Sequence, residues 1–116
     1  MTNEELEKIE TRAEAATPGP WMDRVDDSGF LLVCQKDGSR PSDGICGIGD
    51  IEETEPSDHF NAIFIAHART DIPVLVTEIK RLRAIEHAAK DYLTADGPET
   101  YQFYQKLQTL CGQPSN

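Results

Sequence analysis

Two consecutive residues, Arg69 and Thr70, offer the side chains best suited to hold an anion, and Asp71 follows them directly. An arginine presents a planar fork of N–H donors that can grip a phosphate with two hydrogen bonds, and a threonine adds a hydroxyl. Thr70 also suits an N-cap and Pro73 a first helical turn, so the pattern predicts that one helix ends near Ala68 and another begins at Thr70. Helix N-termini attract anions because their first N–H groups are unpaired. In the alternative, Thr70 only caps the helix and Arg69 pairs with a nearby acid.

The residues that usually carry catalysis form no recognisable set. The three histidines, His59, His67 and His87, lack the HExxH pattern, no serine lies in a GxSxG motif, and no cysteine has a basic neighbour. The carboxylates are scattered, and scattered carboxylates do not make an acid–base pair. The acidic segment Ile51–Pro56 is interpreted as a solvated linker. Its alternative is a metal site made of Asp50, Glu52, Glu53 and Asp58, but these lack the regular spacing of a calcium loop. We therefore expect no catalytic residues, no metal site and no cofactor.

The charge of the chain argues against one class of partner and indicates which half of the chain would bind an anionic ligand. The 116 residues carry 21 acidic and 11 basic side chains, a net charge of -10, which argues against binding genomic nucleic acid. Residues 1–60 contain 15 acidic and 5 basic residues, whereas residues 61–116 contain 6 of each. An anionic ligand is therefore expected in the second half. The three cysteines have no CxxC spacing and no segment is apolar enough to span a membrane, which favours a cytoplasmic protein.

The hydrophobic pattern predicts an α+β fold in a single domain, 1–116. An N-terminal helix, 1–16, ends at the turn Thr17-Pro18-Gly19-Pro20, because neither proline can continue it. A small antiparallel β meander follows at 21–51, with turns at 26–29 and 36–39. The helical part, 57–111, begins with Ser57 as N-cap and contains two to three helices. One of these is the long amphipathic Ile72–Leu93 helix, and a break is expected at 95–98.

The single tryptophan, Trp21, follows the Pro-Gly-Pro turn directly. A tryptophan after such a turn most often anchors the core or an interface, and less often its flat ring stacks on the base of a ligand. The sequence leaves both roles open. Apolar residues make up only 38% of the chain, so part of its burial is expected at an interface with other copies of itself.

Two blocks of this sequence resemble those of a group of small phage and prophage proteins. The first is AEAATPGPW at residues 13–21, and the second is NAIFIAHARTDIPVLVTEIKRLR at residues 61–83. Members of that group open with a short acidic helix and a PGPW turn, and they contain an FIAxARTDIPxLLxEIxRLR block. The chain resembles in particular the phage anti-Thoeris sponge family, which sequesters cyclic ADP-ribose isomers. Some members also take up cyclic oligonucleotides. The resemblance covers about half of the chain.

The resemblance implies a protein that binds its ligand without cleaving it, in the cytoplasm of an infected bacterial host. Sponges of this kind assemble as dimers or higher oligomers with pockets between protomers. Carried over by position, the resemblance implies that Arg69 and Thr70 bind the ligand, with Asn61, Phe64 and Trp21 beside them. The chain beyond residue 83 is longer than the resemblance covers, and an added helix pair there could change the oligomer.

The expected function is therefore sequestration of a cyclic nucleotide immune signal by a homo-oligomeric anti-defence protein. A second hypothesis is a protein-interaction module, in which the long helix docks on a host protein. A third is a nuclease or phosphodiesterase that cleaves the signal. Arg69→Ala separates the first two, because it would abolish sequestration and leave docking intact.

Overall fold

A computed structural model describes residues 1–36, 44–94 and 98–112 of the chain. The elements in order are α1 (Asn3–Ala15), β1 (Trp21–Val25), β2 (Phe30–Gln35), β3 (Gly44–Asp50), α2 (Pro56–Thr94) and α3 (Pro98–Cys111). This confirms the predicted α+β class, with an N-terminal helix, an antiparallel sheet and two C-terminal helices. The turn expected at 36–39, the break expected at 95–98 and the end of the chain lie largely outside the described residues. Within those ranges, no helix has the length and apolar character needed to cross a membrane.

The chain divides into two compact units, residues 1–73 and 74–116. The first unit contains α1, the three strands and the N-terminal part of α2. The second contains the rest of α2 together with α3. The boundary therefore falls inside a helix, at Pro73.

The start of α1 is fixed by reciprocal hydrogen bonds between Thr2 and Glu5. The Glu5 backbone N–H donates to Thr2 Oγ1 (3.1 Å), and the Thr2 backbone N–H donates to Glu5 Oε2 (2.6 Å). This capping box satisfies two donors that the helix itself leaves unpaired. The helix buries Leu6 and ends at Ala15, ahead of the two prolines.

The sheet has the order β1-β2-β3, with both pairs antiparallel. In the turn that joins β1 to β2, Asp26 Oδ1 accepts hydrogen bonds from Ser28 Oγ, Ser28 N and Phe30 N, at 2.6, 2.9 and 3.0 Å. The bond from the Ser28 hydroxyl, followed by that from the Phe30 amide, lowers the pKa of Asp26 because these bonds favour the charged carboxylate. Gly29 completes the turn at φ 83°, a conformation in which a side chain would be strained.

The core of the first unit forms where β2 meets α2. Leu31 and Val33 alternate along the central strand, so both face the same side of the sheet. They pack against Ala62 and Ala66, and all four side chains are buried. The alanines are four residues apart on one helical face and, being small, they let the helix lie close to the strand. Burial of the two larger side chains contributes about 1.5–3 kcal/mol each.

The helix break predicted at Arg69, Thr70 and Asp71 is wrong, because α2 runs without interruption over 39 residues with Pro73 inside it. Pro73 has no N–H to donate to the carbonyl of Arg69, and a proline inside a helix costs about 3 kcal/mol relative to alanine. A break would instead leave up to four carbonyls and four N–H groups without helical partners. Continuity satisfies those groups, and this outweighs the local signal of Thr70 and Pro73.

The predicted start of this helix is also wrong by two residues. α2 begins at Pro56, so the preceding Glu55, and not Ser57, occupies the capping position. The side chain of Asp58 accepts from the backbone N–H of Glu55 at 2.9 Å. Proline at the first helical position loses no hydrogen bond, because the first N–H groups of a helix are unpaired in any case.

In the second unit, α2 and α3 are joined by side-chain contacts. The rings of Tyr92 and Tyr104 lie 6.2 Å apart between centroids. Arg81 donates to Glu78 Oε1 at 2.6 Å and to the carbonyl of Leu110 at 3.4 Å. Because the Glu78 carboxylate accepts from Arg81, it raises the pKa of that guanidinium. Arg81, which lies between the basic residues Lys80 and Arg83, is therefore engaged in a structural ion pair.

Candidate functional site

A pocket of about 440 Å³ lies in the first unit, between α1, the turn that follows it and α2. One aromatic residue, Trp21, and two cationic residues, Arg12 and Arg69, contribute to its wall. Apolar walls with a few convergent polar groups and a volume of several hundred cubic ångströms are typical of small-molecule sites. We call this cavity the Trp21 pocket. Its remaining lining is apolar: Ile9, Ala13, Ala16, Ala68, Ile72 and Pro73.

Arg69 reaches the pocket as a half-buried side chain held at two points. Its Nε donates to the carbonyl of Thr17 at 2.9 Å. Its stem lies against Gly19, where an added Cβ would come within 2.9 Å of Arg69 Cγ. The terminal nitrogens make no hydrogen bond to any described residue. The guanidinium is thus fixed through Nε and keeps its terminal donors for a ligand.

Trp21 is both a packing residue and a pocket residue. Its half-buried ring packs against the core of Leu31, Val33, Ala62 and Ala66, and it also lines the pocket. The indole Nε1 donates to the carbonyl of Thr17 at 3.0 Å. Because that donor is already paired, the ring has surface area to offer a ligand but no hydrogen bond.

The two sequence blocks that carry the family resemblance meet at this pocket. Arg69 and Trp21 donate to the same acceptor, the carbonyl of Thr17, although Thr17 and Arg69 are 52 residues apart. The side chain of Gln35, at the end of β2, donates to the carbonyl of Pro18 at 2.9 Å and so links the turn to the sheet. The Thr17–Trp21 turn is therefore held by both the sheet and α2.

Arg12 was missed as a site residue by sequence reasoning. It lies in the last turn of α1 and is exposed, and it has no hydrogen bond or ion pair within the described part of the chain. A signal was available, because Ile9, Ala13 and Ala16 form the apolar stripe of α1 and Arg12 borders that stripe. The unequal charge of the two halves pointed to residues 61–116 alone, whereas the pocket also draws a cation from the acidic half.

The other residues expected at the site lie elsewhere. Thr70 is exposed in the middle of α2, so it caps no helix and presents no anion-binding N-terminus. Asn61 and Phe64 are exposed on the same helix and do not line the Trp21 pocket. The structure therefore brings together Arg69 and Trp21 from the expected set, and adds Arg12.

The lining of the Trp21 pocket contains no histidine, cysteine or carboxylate. It therefore offers binding groups, with no residue of the types that most often act as general base or nucleophile. Among the described residues, no three histidine, cysteine or acidic side chains are grouped closely enough to hold a metal ion.

A second depression, of about 320 Å³, lies on the sheet beside Phe30, Leu32 and Cys34. Its lining has a single cation, Arg24, and an acid, Asp26. A carboxylate beside the only cation opposes the binding of an anion. The Trp21 pocket, with two cations and no acid, is the better candidate for an anionic ligand.

No family model matches the chain, and it has no significant similarity to the curated proteins or the solved structures with which it was compared. The Trp21 pocket is therefore interpreted from its own residues, with the resemblance of the two sequence blocks beside it.

Proposed function

We propose that this protein binds a cyclic nucleotide immune signal, a cyclic ADP-ribose isomer or a cyclic oligonucleotide, and sequesters it without cleavage. One observation carries the proposal: Trp21 and Arg69 converge with Arg12 on a single, mostly apolar pocket. An aromatic surface suits a base and an arginine fork suits a phosphate, so the lining matches both parts of a nucleotide. The absence of a histidine, cysteine or carboxylate from that lining supports binding over cleavage.

The net charge of -10 opposes any anionic ligand at long range. A ligand therefore has to be attracted locally, by cations in surroundings less polar than water. Charge–charge interactions strengthen as the effective dielectric constant falls, and the apolar wall of the Trp21 pocket provides such surroundings. Two arginines there offset the unfavourable charge of the whole chain.

In this proposal, the protein acts in the bacterial cytoplasm as a homo-oligomer. Of the eight buried apolar residues among those described, three are alanines, whereas thirteen large hydrophobic side chains are exposed. An interface between copies would cover part of this apolar surface.

The decisive experiment is a capture-and-release assay. Purified protein is mixed with each cyclic ADP-ribose isomer and with cyclic di- and trinucleotides, separated from free ligand, and denatured by heat. The proposal expects intact ligand in the supernatant, identified by mass spectrometry. A cleaved product would indicate an enzyme, and no uptake of any of these ligands would refute the proposal.

Arg69→Ala tests the site itself. The substitution removes the phosphate-binding fork, and we expect affinity to fall at least tenfold, the equivalent of about 1.4 kcal/mol. Arg24→Gln is the matched control, because it removes an arginine of the same unit that does not line the Trp21 pocket. Circular dichroism on each variant separates a lost ligand contact from a lost fold. Equal affinity in Arg69→Ala and the parent would exclude this pocket as the site.

A second candidate function is a protein-interaction module. Phe60 and Phe64 are one helical turn apart on α2 and are 69% and 75% exposed. In the second unit, Leu75 and Leu82 are also exposed on the same helix. Large exposed apolar side chains favour docking on another protein. In cells, this alternative predicts that Leu75→Asp abolishes the counter-defence activity and that Arg69→Ala preserves it, the reverse of the outcome that sequestration predicts.

A further inference from the structure

The lining of the Trp21 pocket carries two arginines and no acid, which is unexpected in a chain with 21 acidic and 11 basic residues. Several other cations of the chain have acidic partners: Lys8 pairs with Glu4, Arg81 with Glu78, and Lys90 with Glu86. Arg12 has no such partner within the described ranges, and Arg69 is bonded only to a neutral carbonyl there. Neither guanidinium group is therefore paired with an acid in the described part of the chain.

Two like charges on one pocket repel each other, and an anion bound between them reduces that repulsion. A singly charged ligand would balance only one of them. A ligand with two negative charges would balance both, and each arginine could then make a charge-assisted hydrogen bond to its own phosphate oxygens.

We propose that Arg12 is a second anion-binding residue of the Trp21 pocket, which makes the site selective for doubly charged ligands over singly charged ones. A pyrophosphate or a pair of phosphodiesters would satisfy it, whereas a cyclic mononucleotide would not. This inference rests on the proposed function, because it specifies the class of ligand that the same pocket accepts.

The two arginines have different tasks in this arrangement. Arg69 is pre-positioned, since its stem lies against Gly19 and its Nε is bonded to Thr17. Arg12 is exposed at the end of α1 and can adjust its rotamer to the ligand. Ala13 of the same helix and Ala16 just after it also line the pocket, and their side chains are small. Arg69 thus sets the position of one phosphate, and Arg12 selects for the second.

The chain contains one tryptophan, so its fluorescence reports directly on the pocket. Full-length protein is titrated with cyclic ADP-ribose and cyclic di-AMP as doubly charged probes, with 3′,5′-cyclic AMP as the singly charged probe, and with inorganic pyrophosphate. We expect the parent to bind at least one doubly charged probe about tenfold or more tightly than cyclic AMP. Arg12→Gln should abolish this preference: the affinity for the doubly charged probe should fall about tenfold, while the affinity for cyclic AMP should change less than about threefold.

Lys8→Gln is the matched control. It removes a positive charge from the same helix, one turn before Arg12, at a residue that does not line the Trp21 pocket. We expect it to retain the preference, and Arg12→Lys, which keeps the charge without the fork, to retain part of it. If Lys8→Gln reduced the preference for doubly charged probes as much as Arg12→Gln, the effect would come from the net charge of the helix, and the inference would be wrong.

The remaining outcomes separate this inference from the proposed function. If the nucleotides bind and Arg12→Gln weakens all of them equally or none of them, the proposed function stands and the role of Arg12 is refuted. If pyrophosphate alone binds and does so through Arg12, the anion site stands and the sequestration of a nucleotide is refuted. If neither pyrophosphate nor any nucleotide binds, both are refuted.

Discussion

The carbonyl of Thr17 is the residue-scale centre of the candidate site, because it accepts hydrogen bonds from both Arg69 and Trp21. Those two bonds hold the aromatic and cationic sides of the pocket in a fixed relation. The absence of a side chain at Gly19 lets the stem of Arg69 come close enough to make its bond. The glycine of the PGPW turn is thus explained by a contact with α2 that lies far away along the chain.

Gly19→Ala tests this contact. The new Cβ would lie 2.9 Å from Arg69 Cγ, so either the turn or the arginine must move. We expect the free energy of unfolding to fall by about 1–3 kcal/mol, as measured by urea denaturation, and ligand affinity to fall with it. In an Arg69→Ala background the clash is absent, so Gly19→Ala should then change the free energy of unfolding little. If its cost were the same in both backgrounds, the loss would not arise from Arg69.

At the scale of elements, the continuous α2 changes what Arg69 and Thr70 can do. If a helix began at Thr70, the backbone N–H groups there would bind an anion, and Arg69 would stand outside the helix. Inside α2 those N–H groups are used by the helix, so only side chains remain to hold a ligand. The candidate site therefore depends on Arg69 and Arg12 and draws nothing from a helix N-terminus.

Thr70→Ala distinguishes the two arrangements by stability. Replacing a capping threonine by alanine lowers the free energy of unfolding by about 1 kcal/mol. At an exposed position inside a helix, alanine instead raises stability by a few tenths of a kcal/mol, because its intrinsic helix propensity is higher. We expect the second result for Thr70→Ala in urea denaturation. Thr2→Ala is the matched control and should show the full capping loss, because Thr2 caps α1. A loss at Thr70 as large as that at Thr2 would place a helix start there.

At the scale of the whole molecule, the number of large apolar side chains left in water suggests assembly. Phe60 and Phe64 are the clearest case, since together they place two aromatic rings on the solvent side of α2, away from Ala62 and Ala66. Exposed aromatic residues of this kind are frequent at the centres of interfaces. The proposed homo-oligomer would bury them.

Phe64→Asp tests this assembly. A carboxylate at the centre of an apolar interface would be buried without a partner, and we expect the oligomer to dissociate. Light scattering coupled to size-exclusion chromatography should then give the mass of one chain, 12.9 kDa, where the parent gives a multiple of it. Asn61→Asp is the control, because it adds the same charge to an exposed position on α2 outside this aromatic pair. If the parent itself ran at 12.9 kDa, the expectation of a homo-oligomer would be wrong.

Most of the fold followed from local signals. The cap at Thr2, the prolines at 18 and 20 and the turn at 26–29 each act within a few residues, so the ends of α1 and the path of the first two strands were predictable. The segment between the two expected turns, residues 30–35, was likewise predictable as a strand of the meander. Arg69 and Trp21 were candidates on the same basis, from residue chemistry and the resemblance of their two blocks.

The sequence alone determined α1, the antiparallel sheet, the acidic charge and two of the pocket residues. Only the tertiary structure decided that α2 continues through Pro73, because that outcome depends on helical hydrogen bonds that a local capping signal does not contain. The tertiary structure also placed Arg12 and Arg69, which are 57 positions apart in the sequence, on the lining of one pocket. A contact at such a separation leaves no periodic trace in the chain, whereas a cap, a turn or an apolar stripe does.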